Sequence, residues 1–78
     1  MSMWTTGRIL KRRSGGYATL DPRAIYRVVR VGGPNDSWVW IERIGDDNRW
    51  VPMPGPYPHD ALVAATKEEE VVAEMMGS

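Results

Sequence analysis

One stretch of the chain decides its fold, and it reads Ser37-Trp38-Val39-Trp40-Ile41-Glu42-Arg43-Ile44. Aromatic and β-branched residues fill it, which is typical of a β-strand, and successive side chains of a strand point to opposite faces of the sheet. If Val39 and Ile41 face the core, Trp38 and Trp40 therefore face outward together. Two indoles on one outer face are costly to leave in water. The stretch predicts a small β-domain with an aromatic binding surface.

The length of 78 residues limits the chain to one domain with a thin stability margin, since a chain this short buries only about 60–65% of its unfolded surface. There is no cysteine and only one histidine, which excludes disulfides, thiolate metal sites and conventional zinc sites. No metal and no cofactor is expected. Further stability would come from self-association or from a helix that covers an open face.

Apolar residues make up 42% of the chain, which supports a folded core. No apolar run approaches the roughly 18–20 residues that span a bilayer, and no signal peptide is visible. The absence of cysteine is compatible with a reducing compartment. The expectation is a cytoplasmic protein without a membrane partner.

The formal net charge is zero, but the charges are segregated along the chain. Residues 1–31 hold seven basic side chains against Asp21, whereas residues 57–78 hold five acidic side chains against Lys67. Such asymmetry is typical of a nucleic-acid contact or of an acidic tail. It is equally explained if the acidic segment lies near the basic strands of its own chain or of a twin subunit.

Short apolar runs between Gly, Pro and Asp clusters predict five strands, near residues 6–13, 25–31, 38–44, 49–53 and 61–65. No helix separates them, so the pattern favours an antiparallel barrel or meander. The consecutive Val28 and Val29 predict a β-bulge or burial on both faces. Proline at every second position from Pro52 to Pro58 predicts a polyproline-like connector, or a ligand for a proline-binding groove, rather than a central strand.

The last element is predicted to be a helix over residues 66–78. Thr66 and Glu69 fit a capping box, and residues 68–70 place three glutamates at the positive end of the helix dipole. So short a helix is unstable alone, so its apolar stripe is expected to pack on the barrel or on a partner. The stripe consists of Val71, Val72, Met75 and Met76.

The order of the predicted strands and turns resembles that of a known fold. Residues 6–10 (Thr-Gly-Arg-Ile-Leu) open the pattern, residues 26–29 (Tyr-Arg-Val-Val) and 38–41 (Trp-Val-Trp-Ile) form central strands, and residues 50–52 (Trp-Val-Pro) close a hairpin. A short turn leads to a last strand at residues 61–63. Over roughly residues 5–65 this resembles the SH3-like small-barrel superfold, which includes KOW-type and Tudor-like modules. The resemblance implies a mainly β fold: a small five-stranded antiparallel SH3-like barrel over residues 1–65, followed by the helix.

Two departures narrow what the resemblance implies for function. The acidic loop and the Ala-Leu-Tyr-Asp-Tyr opening of signalling-type SH3 domains are absent, which argues against binding of Pro-rich peptides. The plasmid-encoded type II dihydrofolate reductases build an active tetramer from barrels of similar length, so an oligomeric pore enzyme is an alternative. Their Val-Gln-Ile-Tyr motif is absent here, and fold alone does not carry function.

The residues of an active site are not visible in the sequence. His59 is the only imidazole, its neighbour Asp60 points elsewhere on an extended backbone, and no Gly-rich phosphate loop has the required spacing. The chain is therefore expected not to be an enzyme, and no catalytic residue is assigned.

Two binding hypotheses follow. In the first, the chain is a non-catalytic interaction module, such as an adaptor, an assembly factor or an inhibitor from a phage or mobile element. It binds a protein partner or a second copy of itself through Trp38, Trp40, Trp50, Arg43 and Arg49. In the second, it binds nucleic acid, because cations beside aromatic rings form a platform for single strands. The phosphate contacts would come from Arg8, Lys11, Arg12, Arg13, Arg27 and Arg30.

The indoles could also be covered within the chain. The predicted helix stripe contains methionines, which pack well against aromatic rings, so the helix could cap the tryptophans. Alternatively, the tryptophans form an open platform or a homodimer seam. Trp4 is expected to close one end of the barrel.

Overall fold

A computed structural model describes residues 4–45 and 47–76, and the predictions that involve residues 1–3, Asp46 and residues 77–78 lie outside this part. Two 3₁₀ turns, Pro34–Asp36 and His59–Ala61, accompany the strands and helix. The strands are β1 (Ile9–Arg12), β2 (Tyr26–Gly32), β3 (Trp38–Ile44), β4 (Trp50–Pro52), β5 (Tyr57–Pro58) and β6 (Leu62–Ala64), and the helix is α1 (Lys67–Met76).

The strands form one antiparallel sheet in the order β4-β3-β2-β1-β6, and β5 also pairs with β3. The mainly β class with a C-terminal helix is confirmed. The five-stranded barrel is not, because the six-stranded sheet is not closed. The additional strand comes from the proline-rich segment, where Tyr57 pairs with Val39 and Pro58 with Trp38. Proline is tolerated there because the strand is short and peripheral.

The predicted bulge is present in β2 and decides which arginines share a face. Val28 pairs with Ile41 and Arg30 pairs with Trp40, which leaves Val29 as the extra residue. In a regular strand, residues 27 and 30 would point to opposite faces. The inserted residue restores Arg30 to the face of Arg27.

The inner face of the sheet carries the main core, and the predicted orientation of β3 is confirmed. Val39 is 0% exposed and Ile41 1% exposed, whereas Trp38 is 41% exposed. Trp4 packs against this core, and its Nε1 donates a hydrogen bond to the carbonyl oxygen of His59 at 2.8 Å. The core consists of Leu10, Leu20, Tyr26, Val28, Val39, Ile41, Tyr57, Ala61 and Leu62.

Helix α1 begins with the predicted capping box and lies on the outer face. The Thr66 N–H donates to Glu69 Oε1 at 2.9 Å, and the Glu69 N–H donates to Thr66 Oγ1 at 3.2 Å. The side that contacts the sheet is centred on Ala73, which is 0% exposed and packs with Ile9 and Ala65. A small residue allows the helix backbone to approach the sheet closely.

The apolar stripe is not the side of α1 that is buried against the sheet, so the predicted alternative of packing on a partner stays a prediction. All four of its side chains are exposed, namely Val71, Val72, Met75 and Met76. The helix is turned so that the Glu69 carboxylate meets the Lys11 ammonium at 3.3 Å, beside the buried Ala73. The acidic helix therefore does contact a basic strand of its own chain, through this ion pair.

Candidate functional site

The outer face of the sheet is divided into two halves. The covered half lies under α1 and consists of Ile9, Ile25, Ile44, Trp50 and Ala65. The open half lies toward the other end of β2 and β3 and consists of Arg30, Gly32, Trp38 and Trp40. Ile44 lies four positions after Trp40 along β3, which corresponds to about 13 Å.

The open half is built around a stacked pair. The guanidinium carbon of Arg30 lies 4.0 Å from the centroid of the Trp40 ring, within the range of a cation–π interaction. Gly32 makes room for this indole, since a Cβ there would stand 2.9 Å from Trp40 Cζ3. The cross-strand register and the glycine together fix where the ring lies.

Trp38 lies at the edge of the open half and is held by the turn that precedes β3. Gly33 has φ +86, and a Cβ at this position would overlap Cδ1 of Trp38. Asn35 and Asp36 both adopt the left-handed region at φ 56, which costs of order 1 kcal/mol each for residues with side chains. The turn therefore stores strain directly beside the most exposed tryptophan of β3.

The covered half contains a second stacked pair, and here the arginine also has a carboxylate partner. The guanidinium carbon of Arg27 lies 4.3 Å from the centroid of the Trp50 ring. Arg27 Nε also donates a hydrogen bond to Glu42 Oε1 at 2.6 Å, within an ion pair between the two side chains. Trp50 packs against the apolar cluster under α1. The Arg27 guanidinium therefore stacks on the Trp50 ring and is also paired with the Glu42 carboxylate of the same chain.

Three of the five predicted protein-binding residues share the outer face, but only Trp38 and Trp40 lie on the open half. Trp50 pairs with Ile44 and belongs to the covered half. Arg43 alternates with Glu42 and therefore points to the opposite face. Arg49 lies in the β3–β4 hairpin, where its Nε is 3.8 Å from Asp47 Oδ2. Neither arginine flanks the pair of tryptophans, because strand alternation and the hairpin place them elsewhere.

The six predicted nucleic-acid contacts do not form one free basic surface. Lys11 and Arg27 are paired with carboxylates. Arg12 Nη2 donates to the Gly16 carbonyl oxygen at 3.0 Å, and Arg13 Nη1 donates to the Asp60 carbonyl oxygen at 3.3 Å. Of these six, Arg8 and Arg30 have neither an ion pair nor a side-chain hydrogen bond within the described residues.

The sequence reasoning missed the role of two arginines beside the tryptophans. Arg27 and Arg30 were assigned to phosphate binding, whereas in the structure each stacks on an indole. The signal that could have identified them is the hairpin register corrected for the bulge, which places Arg30 opposite Trp40.

Comparison of the chain with protein-family models, with curated proteins and with solved structures finds no match. In the part of the chain that the structure describes, no group of three or more His, Cys, Asp or Glu side chains could hold a metal ion. The helix found in residues 4–45 and 47–76 is too short to cross a membrane.

Proposed function

We propose that the chain is a non-catalytic interaction module that binds a protein segment on the open half of its sheet. The observation that carries this proposal is the position of Trp38, 41% exposed beside the Trp40–Arg30 stack, on the half that α1 leaves uncovered. Tryptophan and arginine are the residue types that most often dominate the energy of protein interfaces. Both are held in place before binding, which reduces the entropy lost on association.

Arg30 has no carboxylate partner among the described residues, and this indicates the chemistry of the binding partner. Its guanidinium lies over Trp40, but the described residues offer it no carboxylate, whereas Arg27 over Trp50 has Glu42. A carboxylate of the partner would pair with Arg30 as Glu42 pairs with Arg27, and an apolar side chain next to it would pack against Trp38. Such a charge-assisted hydrogen bond is roughly twice as strong as a neutral one. The partner is therefore a protein segment with an acidic residue next to an apolar one.

Single-stranded nucleic acid is the second candidate, supported by an arginine, the exposed Trp38 and the half-buried Trp40 on one surface. Two observations favour the protein partner instead. Arg30 occupies a face of the Trp40 ring on which a base would stack. Four of the six predicted phosphate contacts are already bonded to carboxylates or carbonyl oxygens of the chain.

For the fold, we propose an open relative of the SH3-like small barrels. The last strand β6 pairs with the first strand β1, β2 and β3 are central, and a 3₁₀ turn precedes β6. This strand order supports the relationship, which rests on topology alone.

The test is selection of binding peptides from a random displayed library by four proteins: wild type, Trp38→Ala, Arg30→Glu and Arg49→Glu. Wild type is expected to enrich peptides with Asp or Glu beside an apolar residue. Trp38→Ala should weaken the enrichment, and Arg30→Glu should replace acidic residues with basic ones. Arg49→Glu makes the same change in net charge on the hairpin and should keep the acidic preference. Recovery of the same peptides by all four proteins would contradict the proposal.

The nucleic-acid candidate is tested by tryptophan emission and by the anisotropy of labelled single-stranded and duplex oligonucleotides at two salt concentrations. Flat signals at low salt exclude it. Binding that weakens with salt, with a slope of about −0.7 per phosphate on single strands, would put nucleic acid in place of the protein segment.

A further inference from the structure

The outward side of α1 is an apolar surface next to a carboxylate. Val71 is 54% exposed and Val72 is 42% exposed. Together with Lys67 and Glu68 they line a shallow groove along the first two turns of the helix. Glu68 precedes the two valines by three and four residues, so it lies on the same side of the helix. In the described part of the chain, Glu68 is in no ion pair.

A carboxylate next to apolar side chains is what the proposed function expects of a segment that binds the open half, and α1 of this chain has both. We propose that α1 of a second copy docks on the open half, with Val71 and Val72 against Trp38 and Trp40, and with the Glu68 carboxylate beside the Arg30 guanidinium. The proposal rests on the proposed function, because it names the protein segment that this surface binds.

The arrangement of the outer face fits a two-fold dimer. Helix α1 stands on the covered half, and its outward side points away from its own sheet. When two copies meet face to face, the helix of each copy lies over the open half of the other. Along β3 the distance from Trp38 to Ile44 is about 20 Å, and the axes of two packed helices lie about 8–10 Å apart. Two helices therefore fit side by side between the two sheets.

The two-fold symmetry also supplies area and charge. A specific interface buries at least about 1,000 Å² in total. An isologous dimer makes every contact twice, so both helices and both tryptophan pairs are covered. Glu68 meets Arg30 at both ends of the interface. Self-association is also a route by which a chain of 78 residues gains stability.

The test is the mass of the full chain in solution, measured by sedimentation velocity and by light scattering from micromolar to millimolar concentration. Wild type is expected to form a reversible dimer. Arg30→Glu and Glu68→Arg each place like charges at both contacts, and each should weaken dimerisation at least about tenfold. Arg49→Glu makes the same change in net charge as Arg30→Glu, so it is the matched control for that variant and should dimerise as wild type does.

Mixing the two weakened variants makes the test specific. In a dimer of R30E with E68R, both contacts pair opposite charges, so the mixture should recover the mass of two chains although neither variant does so alone. Circular dichroism checks that α1 still forms in E68R, since a cation in the first turn opposes the helix dipole. Recovery in the mixture requires both variants to be folded.

Three results would overturn the inference: a monomer at every concentration, a dimer insensitive to both substitutions, or no recovery in the mixture of folded variants. They leave the proposed function separately measurable. A monomer that still selects acidic peptides through Arg30 retains the open half as a binding surface for another protein. A monomer whose peptide selection ignores Trp38 and Arg30 loses both proposals.

Discussion

Two tryptophan–arginine pairs stand on the same face of one sheet, about one helix diameter apart, and they differ in what surrounds them. Trp50 and Arg27 have Glu42 as a carboxylate partner and lie beside the apolar cluster under α1. Trp40 and Arg30 have no carboxylate among the described residues and lie beside the exposed Trp38. The same pair of side chains therefore supports the fold at one end, and at the other end it lies on the face that we propose as a binding surface.

The first way to test this division is to separate α1 from the covered half. Ala73→Glu forces a carboxylate into a site that is 0% exposed, so the free energy of unfolding should fall by about 3 kcal/mol. Val72→Glu, at the preceding position on the outward side of the helix, should change it by less than about 0.5 kcal/mol at a protein concentration too low for dimers. Chemical denaturation followed by circular dichroism measures both. Equal losses would mean that α1 is not held through Ala73.

The second way is to remove one tryptophan from each half. Trp50→Ala should lower the free energy of unfolding by about 2 kcal/mol, because the ring packs into the cluster with Ile44 and Ile9. Trp38→Ala should lower it by about 1 kcal/mol or less, because this ring belongs to neither apolar cluster. Urea titrations at a low protein concentration give both values. A larger loss for Trp38 would show that the open half is structural.

The third way is to compare the two arginines through their charges. Glu42→Gln leaves Arg27 with a neutral partner and should cost about 1 kcal/mol, since this side chain is half-buried. Arg30→Gln breaks no ion pair among the described residues and removes only the contact with the Trp40 ring, so it should lower the stability of the monomer by about 0.5 kcal/mol. A double-mutant cycle on Arg27 and Glu42 isolates their coupling. A coupling energy near zero would mean that Glu42 does not stabilise Arg27, and the two tryptophan–arginine pairs would then not differ in this respect.

Local rules predicted the parts of this surface that depend on neighbours in sequence. Strand alternation placed Trp38 and Trp40 outward, two consecutive valines indicated the bulge, and the spacing of Thr66 and Glu69 indicated the helix cap. Each of these follows from backbone geometry within a few residues. They were enough to identify an aromatic outer face.

The parts that depend on contacts between distant segments were not predicted. Amphipathicity favoured the larger valine and methionine stripe as the packing side of α1, but the sheet contacts the small Ala73. Arg30 and Trp40 were placed in rival hypotheses, because their stacking requires the register on both sides of the bulge. The two-residue strand Tyr57–Pro58 was not among the five predicted strands. The proline-rich segment was predicted not to be a central strand, and these two residues pair only at the edge of β3.

The smallest expected effect concerns the ion pair that orients α1 on the covered half. The hydrogen bond from the Thr66 N–H, together with the Lys11 ammonium, holds the pKa of Glu69 below its usual value. The unfolded chain therefore takes up this proton at a higher pH than the folded chain does. The contribution to stability is complete above the unfolded pKa, and it is lost as the pH falls through the lower pKa of the folded state.

Glu69→Gln should accordingly lower the free energy of unfolding by a few tenths of a kcal/mol at pH 7, because the site is about a third exposed and screened by solvent. Glutamine at this position keeps the reciprocal hydrogen bonds of the capping box, so the difference reports the charge alone. The difference between variant and wild type should disappear at a pH below the folded pKa and shrink in high salt. A difference that persists in acid would assign the role of Glu69 to packing, and Lys11 would then not determine how α1 is turned on the sheet.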